Sequence, residues 1–122
     1  MYFKGSGNYN WHVSHFGDPC VPNTDFGYKD LCNAWKAEKW DPEHLIGLYH
    51  GMGARYFFAM GQHHDNFDCW DSPYQPWNSV NIGPKRDVVG EWAKACEKYG
   101  MPLGVSMHGS HAWSWFEIAQ PY

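Results

Sequence analysis

Two histidines, three aspartates and two aromatic residues crowd into one segment of the chain, from Gly61 to Ser72. Imidazoles and carboxylates can bind hydroxyls, move protons or ligate metals, and flat aromatic rings can pack against a sugar. Residues 55–60, just before this segment, are almost wholly apolar, as is typical of a strand in a parallel sheet. The segment is therefore predicted to follow the carboxyl end of a strand, where α/β proteins bind small molecules.

Histidines also follow two other predicted strands. Residues 103–107 form a short apolar run that leads into His108 and His111, and residues 11–15 alternate apolar and polar side chains up to His15. Parallel strands joined by helical crossovers place their carboxyl ends on one edge of a sheet. Imidazoles from all three strand ends are therefore expected to gather there: His15, His63, His64, His108 and His111.

Two amphipathic helices are predicted between these strands. The first is capped by Asp41, opens with Pro42 and stops at Gly53, and the second is capped by Asp87 and ends at Gly100. The punctuated segment between them, rich in proline and polar residues, is predicted to be a loop that walls the site. The order strand, helix, strand, helix, strand is the opening of a β/α architecture.

The element order favours a barrel over a doubly wound sheet. The loop over residues 17–39 holds no G-x-G-x-x-G motif, which a dinucleotide-binding sheet would carry there. A (β/α)₈ barrel needs about 250 residues, and this chain has 122. We therefore expect an incomplete TIM-type barrel with about three parallel strands and their crossover helices. Residues 1–10 are predicted to be a flexible lead-in, and residues 11–122 the N-terminal portion of a barrel truncated at its C-terminus.

Composition narrows the classes of partner. The net charge is −4, and no run of lysine or arginine could follow a phosphate backbone, which argues against nucleic acid. No apolar stretch approaches the roughly 20 residues that span a bilayer. Aromatic residues make up 19% of the chain, more than a core of this size needs, so some rings are expected to face a ligand such as a sugar. The four cysteines show no C-x-x-C spacing and are predicted to be free thiols.

Six short motifs along the chain together resemble the N-terminal part of family 29 of the glycoside hydrolases, the α-L-fucosidases. Their order, their spacing and the pairing of His-His-Asp with W-N-S-V and G-P-K-R-D carry the resemblance. The motifs are His15-Phe16-Gly17, Trp40-Asp41-Pro42-Glu43, His63-His64-Asp65-Asn66-Phe67, Trp70-Asp71-Ser72, Trp77-Asn78-Ser79-Val80 and Gly83-Pro84-Lys85-Arg86-Asp87.

The resemblance implies a barrel enzyme that removes fucose from a fucosylated oligosaccharide or glycoconjugate, without a cofactor. It assigns His15, His63 and His64 to the sugar hydroxyls. A neutral imidazole suits that role because it can donate at one nitrogen and accept at the other. Four further residues are expected to wall the pocket: Trp70, Trp77, His108 and Trp113.

The catalytic carboxyl groups of such an enzyme are expected outside this chain. Retaining glycosidases need two carboxyl groups about 5–5.5 Å apart, and the resemblance places the nucleophile and the acid/base beyond Tyr122. Asp65 is expected to orient a histidine ring or cap a turn. The isolated chain is therefore predicted to be inactive, and its open sheet edge to associate with the missing part of the barrel or with another copy.

Two alternatives belong to other classes. A histidine-rich metal-binding module could use His63, His64, Asp65, His108 and His111, but adjacent residues on a strand point to opposite sides, so no metal is predicted. A non-catalytic carbohydrate-binding module would use the same aromatic rings. It is disfavoured because three strands alone would leave apolar surface exposed.

Overall fold

The computed structural model describes residues 4–18 and 27–109. Within these ranges the elements are helix α1 (Gly7–Phe16), helix α2 (Tyr28–Ala34), helix α3 (Pro42–Gly51), strand β1 (Phe57–Gln62), helix α4 (Val88–Lys98) and strand β2 (Leu103–Met107). None of the helices in the described ranges has the length and apolar character needed to cross a membrane.

The two strands pair in parallel, as the β/α reading requires. Phe57 lies opposite Leu103, and the register shifts at Gly61, so that Gln62 lies opposite Met107. β2 has its predicted bounds, whereas β1 begins two residues later than predicted. The extra residue is a bulge at the end of β1, which bends the strand where the polar segment begins.

Helices α3 and α4 form where their capping residues predict them. Asp41 accepts a hydrogen bond from the backbone N–H of His44 at 3.0 Å, and Asp87 accepts one from Gly90 at 2.8 Å. Both helices pack on one face of the sheet. The core there is built from small and medium side chains, with aromatic rings around it: Ile46, Ala95, Cys96 and Met101, flanked by Tyr49, Phe57, Trp92, Tyr99 and Leu103.

The opposite face of the sheet is open within the described residues. Phe58 is 64% exposed, and Met60, which follows it by two residues in β1 and so lies on the same face, is 45% exposed. The sequence indicated a strand covered on both faces, and here it is covered on one. This apolar face is of the kind that another element normally covers.

The prediction of a first strand over residues 11–15 is wrong. These residues lie in α1, which begins at Gly7, inside the segment predicted to be a flexible lead-in. Ser6 caps the helix by accepting a hydrogen bond from the N–H of Tyr9. Tyr9 and His12 are buried and Phe16 half-buried, a spacing of three and four residues that fits a helix. That period outweighs the short alternation from Trp11 to His15.

The prediction of a loop over residues 17–39 is wrong for its middle part, where helix α2 lies. The signal was present in the sequence. Aromatic and apolar side chains recur at helical spacing i, i+3, i+4 and i+7, which predicts one buried helical face. They are Tyr28, Leu31, Cys32 and Trp35.

Candidate functional site

The site lies at the carboxyl end of β1, where the chain makes a tight turn. The carbonyl of His63 accepts a hydrogen bond from the N–H of Asn66 at 3.0 Å, and Asn66 has a positive φ of 56°. Asparagine tolerates that left-handed conformation better than most residues. The turn fixes the backbone on which both histidines are carried.

Three imidazoles meet at this turn, and we call His63, His64 and His108 the histidine cluster. The ring of His63 lies 4.7 Å from that of His64 and 4.6 Å from that of His108, and the rings of His64 and His108 are 5.4 Å apart. His108 enters from the end of β2, where its N–H donates to the carbonyl of Gln62 at 3.0 Å. The expected convergence of two strand ends is therefore observed.

Neighbouring histidines reach the same place because the strand has already ended. Strand alternation would send His63 and His64 to opposite faces. β1 stops at Gln62, and both residues belong to the turn that follows. The objection that adjacent histidines cannot serve one site therefore does not apply here.

Asp65 ties the turn to α2. Its carboxylate accepts hydrogen bonds from the hydroxyl of Tyr28 and from the N–H of Phe67, so it caps the turn as expected. Burial, reinforced by this hydrogen bond to Asp65, raises the pKa of Tyr28 above its ordinary value. The phenol therefore stays protonated and remains a donor to Asp65.

A cavity of about 270 Å³ opens beside His63, between the turn and α2. Its volume is close to the lower end of the range typical of small-molecule sites, roughly 300–1,000 Å³. The lining is mostly apolar and aromatic: Tyr28, Leu31, Cys32, Trp35, Met60, His63, Asp65, Phe67 and Cys69. The α2 residues in this wall are those that the sequence analysis missed.

The two thiols in the cavity wall are not nucleophiles near neutral pH. Burial raises the pKa of Cys32 to about 12 and that of Cys69 to about 11. The thiolate is the reactive form of cysteine. Both side chains therefore serve as small apolar groups in the wall.

The W-N-S-V motif acts through the buried side chain of Asn78. Its amide nitrogen donates to the carbonyls of Ser72 and Gln75 at 3.1 and 2.8 Å. Its oxygen accepts from the N–H groups of Val80 and Asn81 at 3.0 and 2.8 Å. These four bonds hold the irregular loop after the site in one conformation.

The G-P-K-R-D motif holds α2 and α4 in place. The guanidinium of Arg86 pairs with Glu91 and lies 4.7 Å from the ring centroid of Trp40. Together with the predicted cap by Asp87, this ion pair fixes the start of α4. Gly83 has φ +71°, and a side chain there would overlap the carbonyl oxygens of Cys32 and Trp35 at the end of α2.

The other predicted site residues are distributed differently. His15 lies exposed on α1 and contacts Trp11, Ser14 and Phe16 of the same helix. His15 was predicted beside His63 because a strand was expected to end at His15. A helix lies there instead, so the structure does not support that placement. Trp77 lies beside Lys29, with 5.0 Å between the ammonium and the ring centroid.

Trp70 is half-buried in the loop that follows the turn. Its role as a pocket wall stays a prediction. Two more of the predicted residues, His111 and Trp113, lie outside the described residues.

Comparison with known proteins identifies one family over almost the whole chain. The family model for alpha-L-fucosidase matches residues 1–120. Tissue alpha-L-fucosidase of Homo sapiens is 36% identical over 81 residues, which are 66% of this chain and 17% of the human protein. Alpha-L-fucosidase of Dictyostelium discoideum is 27% identical over 110 residues, 89% of this chain and 22% of that protein.

The solved structure of an alpha-fucosidase is similar in fold to this chain. The crystal structure of Thermotoga maritima alpha-fucosidase in complex with fucose matches with a TM-score of 0.82 and 37% identity. The match covers 91% of this chain and 25% of that one. The matched segments thus span about a sixth to a quarter of the length of these relatives.

Proposed function

Because this chain belongs to the α-L-fucosidase family, we propose that the whole protein hydrolyses terminal α-L-fucosyl linkages of glycans with retention of configuration. The observation that carries the proposal is the convergence of His63, His64 and His108 at the ends of two parallel strands. Such an edge is where β/α barrels bind their substrates.

The histidine cluster is the proposed site for the hydroxyls of fucose. A sugar ring presents hydroxyls that each need a donor or an acceptor, and an imidazole supplies one of each. The rings of His63 and His108 are 4.6 Å apart, close enough for two imidazoles to bind neighbouring hydroxyls of one sugar. The family resemblance alone adds His15 as a third sugar ligand; we leave His15 out of the proposed site, because its described hydrogen bonds stay within α1.

An apolar wall is needed beside the hydroxyl ligands, because fucose also presents a methyl group and C–H faces. Trp35 and Phe67 meet edge to face at 6.2 Å in the cavity beside His63 and offer such a surface. Trp70, Trp77 and Trp113 remain predicted wall residues. We favour Trp35 because it lines the cavity directly.

The nucleophile and the acid/base are proposed to lie outside this chain. Two carboxylates near the histidine cluster already have structural roles, since Asp65 binds Tyr28 and Asp68 accepts from Gln62 at 2.8 Å. The relatives are about four to six times as long as the matched segments. The remaining length leaves room for a complete barrel, whose further strands would cover the open face around Phe58.

Hydrolysis of 4-nitrophenyl α-L-fucoside by the full-length protein tests this function. We expect release of 4-nitrophenol, an α-configured first product by NMR, and a loss of activity in His64→Gln. The D-fucoside of the same leaving group is the control substrate. Binding of L-fucose without hydrolysis would instead favour a carbohydrate-binding protein. A protein that neither binds L-fucose nor hydrolyses the fucoside would contradict the proposal.

A further inference from the structure

We propose that His63, His64 and His108 also bind a divalent transition-metal ion such as Zn²⁺. One ring nitrogen from each residue lies within 4.8 Å of the other two. Three neutral nitrogen donors from two chain segments form the donor set of many open zinc sites. The inference goes beyond the proposed sugar hydrolysis, because it concerns the protein without sugar.

The spacing requires only small side-chain movements. Zinc bonds to imidazole nitrogen at about 2.0–2.1 Å, which puts tetrahedral ligands about 3.3 Å apart. The present nitrogens would have to approach by at most about 1.5 Å on that basis. His63 is exposed and the other two rings are partly exposed, so rotation about their side-chain bonds can bring them together.

The backbone already holds the ligands in position. His63 and His64 lie on a turn closed by the hydrogen bond between His63 and Asn66. His108 is tied to the same place through the carbonyl of Gln62. An ion would therefore need to order side chains but not the chain that carries them.

The surroundings favour a nitrogen-binding ion over Mg²⁺ or Ca²⁺. Hard cations prefer carboxylate and carbonyl oxygens, whereas imidazole suits zinc, copper and nickel. The carboxylate of Asp65 is held by Tyr28 and the N–H of Phe67, and that of Asp68 by Gln62. The ligand atoms that lie within 4.8 Å of one another are all ring nitrogens, and the fourth ligand position would face the solvent beside the exposed His63.

Metal and sugar should exclude each other, and this step rests on the proposed function. An imidazole nitrogen that is bound to a metal cannot also accept a hydrogen bond from a hydroxyl. We therefore expect Zn²⁺ to inhibit fucoside hydrolysis competitively. This departs from the sequence-based prediction of no metal, which assumed that the adjacent histidines point apart.

Calorimetric titration of the tag-free, full-length protein with ZnCl₂ tests the site. We expect one saturable binding event. The affinity for zinc should fall at least about tenfold in His63→Gln, His64→Gln and His108→Gln, since the loss of a residue that merely hydrogen-bonds to a metal ligand already costs that much. His44→Gln, on the exposed side of α3, is the matched control and should bind as the parent does. MgCl₂ should give no saturable heat. Circular dichroism of each variant checks that it is folded.

The possible failures distinguish the metal site from the proposed sugar site. No saturable zinc binding, or binding that all three cluster variants retain, would overturn the metal site and leave the proposed hydrolysis untouched. If zinc binds at the cluster and L-fucose does not weaken it, the metal site stands and the assignment of these histidines to the sugar fails. EPR of the Cu²⁺-loaded protein gives a second readout, in which nitrogen hyperfine coupling from the cluster is expected and its absence contradicts the proposal.

Discussion

Helix α1 and the turn after β1 each carry a pair of histidines, but among the residues that the structure describes only the turn brings its histidines to a third one. In α1, His12 is buried and His15 is exposed, and both rings pack on Phe16 of the same helix. At the turn, His63 and His64 meet His108 from another strand. A histidine pair becomes a candidate site where the topology of the sheet joins distant segments.

The two regions also differ in how they are held. α1 is regular, and the described hydrogen bonds of His15 stay within it. The segment after β1 is irregular, but it is tied to its surroundings: the side chains of Asp65 and Asp68 bind α2 and β1, and the backbone carbonyl of Cys69 accepts a hydrogen bond from the start of α4. Preorganised irregular structure, more than regular structure, is what a binding site requires.

The largest effect is expected on catalytic activity, which should depend on the histidines of the turn and not on those of α1. Replacing His63 and His64 together by alanine should lower kcat/KM for 4-nitrophenyl α-L-fucoside about 100- to 1,000-fold, because each loses a hydrogen bond worth about 1.5–2 kcal/mol. His15→Ala is the matched comparison and should change it less than about threefold. Steady-state kinetics of the full-length protein measures both. An equal loss in both variants would contradict the distinction between α1 and the turn.

The next effect concerns the contact of the site region with α2. Gly83→Ala should lower the free energy of unfolding by about 2–3 kcal/mol, because φ +71° is strained for alanine and its methyl overlaps the backbone of Cys32. Gly51→Ala, where a methyl meets open space, should lie within about 0.5 kcal/mol of the parent. Urea unfolding measures both. Unchanged stability in Gly83→Ala would show that α2 does not dock as described.

A smaller effect is expected from the hydroxyl that fixes Asp65. Tyr28→Phe removes the hydrogen bond from the phenol to the carboxylate and should cost about 1–2 kcal/mol of stability. Because the turn then loosens, KM should rise more than kcat falls. Tyr74→Phe, at a side chain that is 95% exposed, is the control and should change neither. If Tyr28→Phe changed neither the stability nor KM, the contact with α2 would not contribute to the function of the turn.

The smallest effect is a pH dependence from a buried thiol of the site wall. Burial raises the pKa of Cys69 from 9.0 to about 11, so the folded protein keeps its proton after the unfolded chain has begun to lose it. The stability from this thiol is complete below pH 9 and is lost as the pH rises toward 11. At pH 10 the loss should be about 1.4 kcal/mol. Urea unfolding of the parent and of Cys69→Ala from pH 8 to pH 10.5 should show the steeper fall in the parent, and parallel curves would contradict it.

Much of the β/α part of the fold could be predicted from local sequence. The capping residues Asp41 and Asp87 predict the starts of α3 and α4, and the apolar run from Leu103 to Met107 predicts β2 at its observed bounds. These signals lie within a few residues of the elements they predict. The family could be recognised for the same reason, since its motifs are short and ordered.

The errors arose where local signals conflict or are absent. Trp11 to His15 alternates like a strand over five residues, but burial follows the helical spacing from Tyr9 to Phe16. The bond between Tyr28 and Asp65 joins residues 37 apart in sequence and has no local signature. The wall of the cavity depends on such contacts, so its residues required a structure.

The central claim is that the histidine cluster, and not α1, meets the sugar. NMR of the full-length protein with ¹⁵N-labelled histidine, titrated with L-fucose, tests it most directly, with D-fucose as the mirror-image control. The account predicts saturable shifts of the imidazole nitrogens of His63, His64 and His108, with His15 and His44 unchanged. Saturable binding that shifts His15 and leaves the three cluster residues unmoved would contradict it.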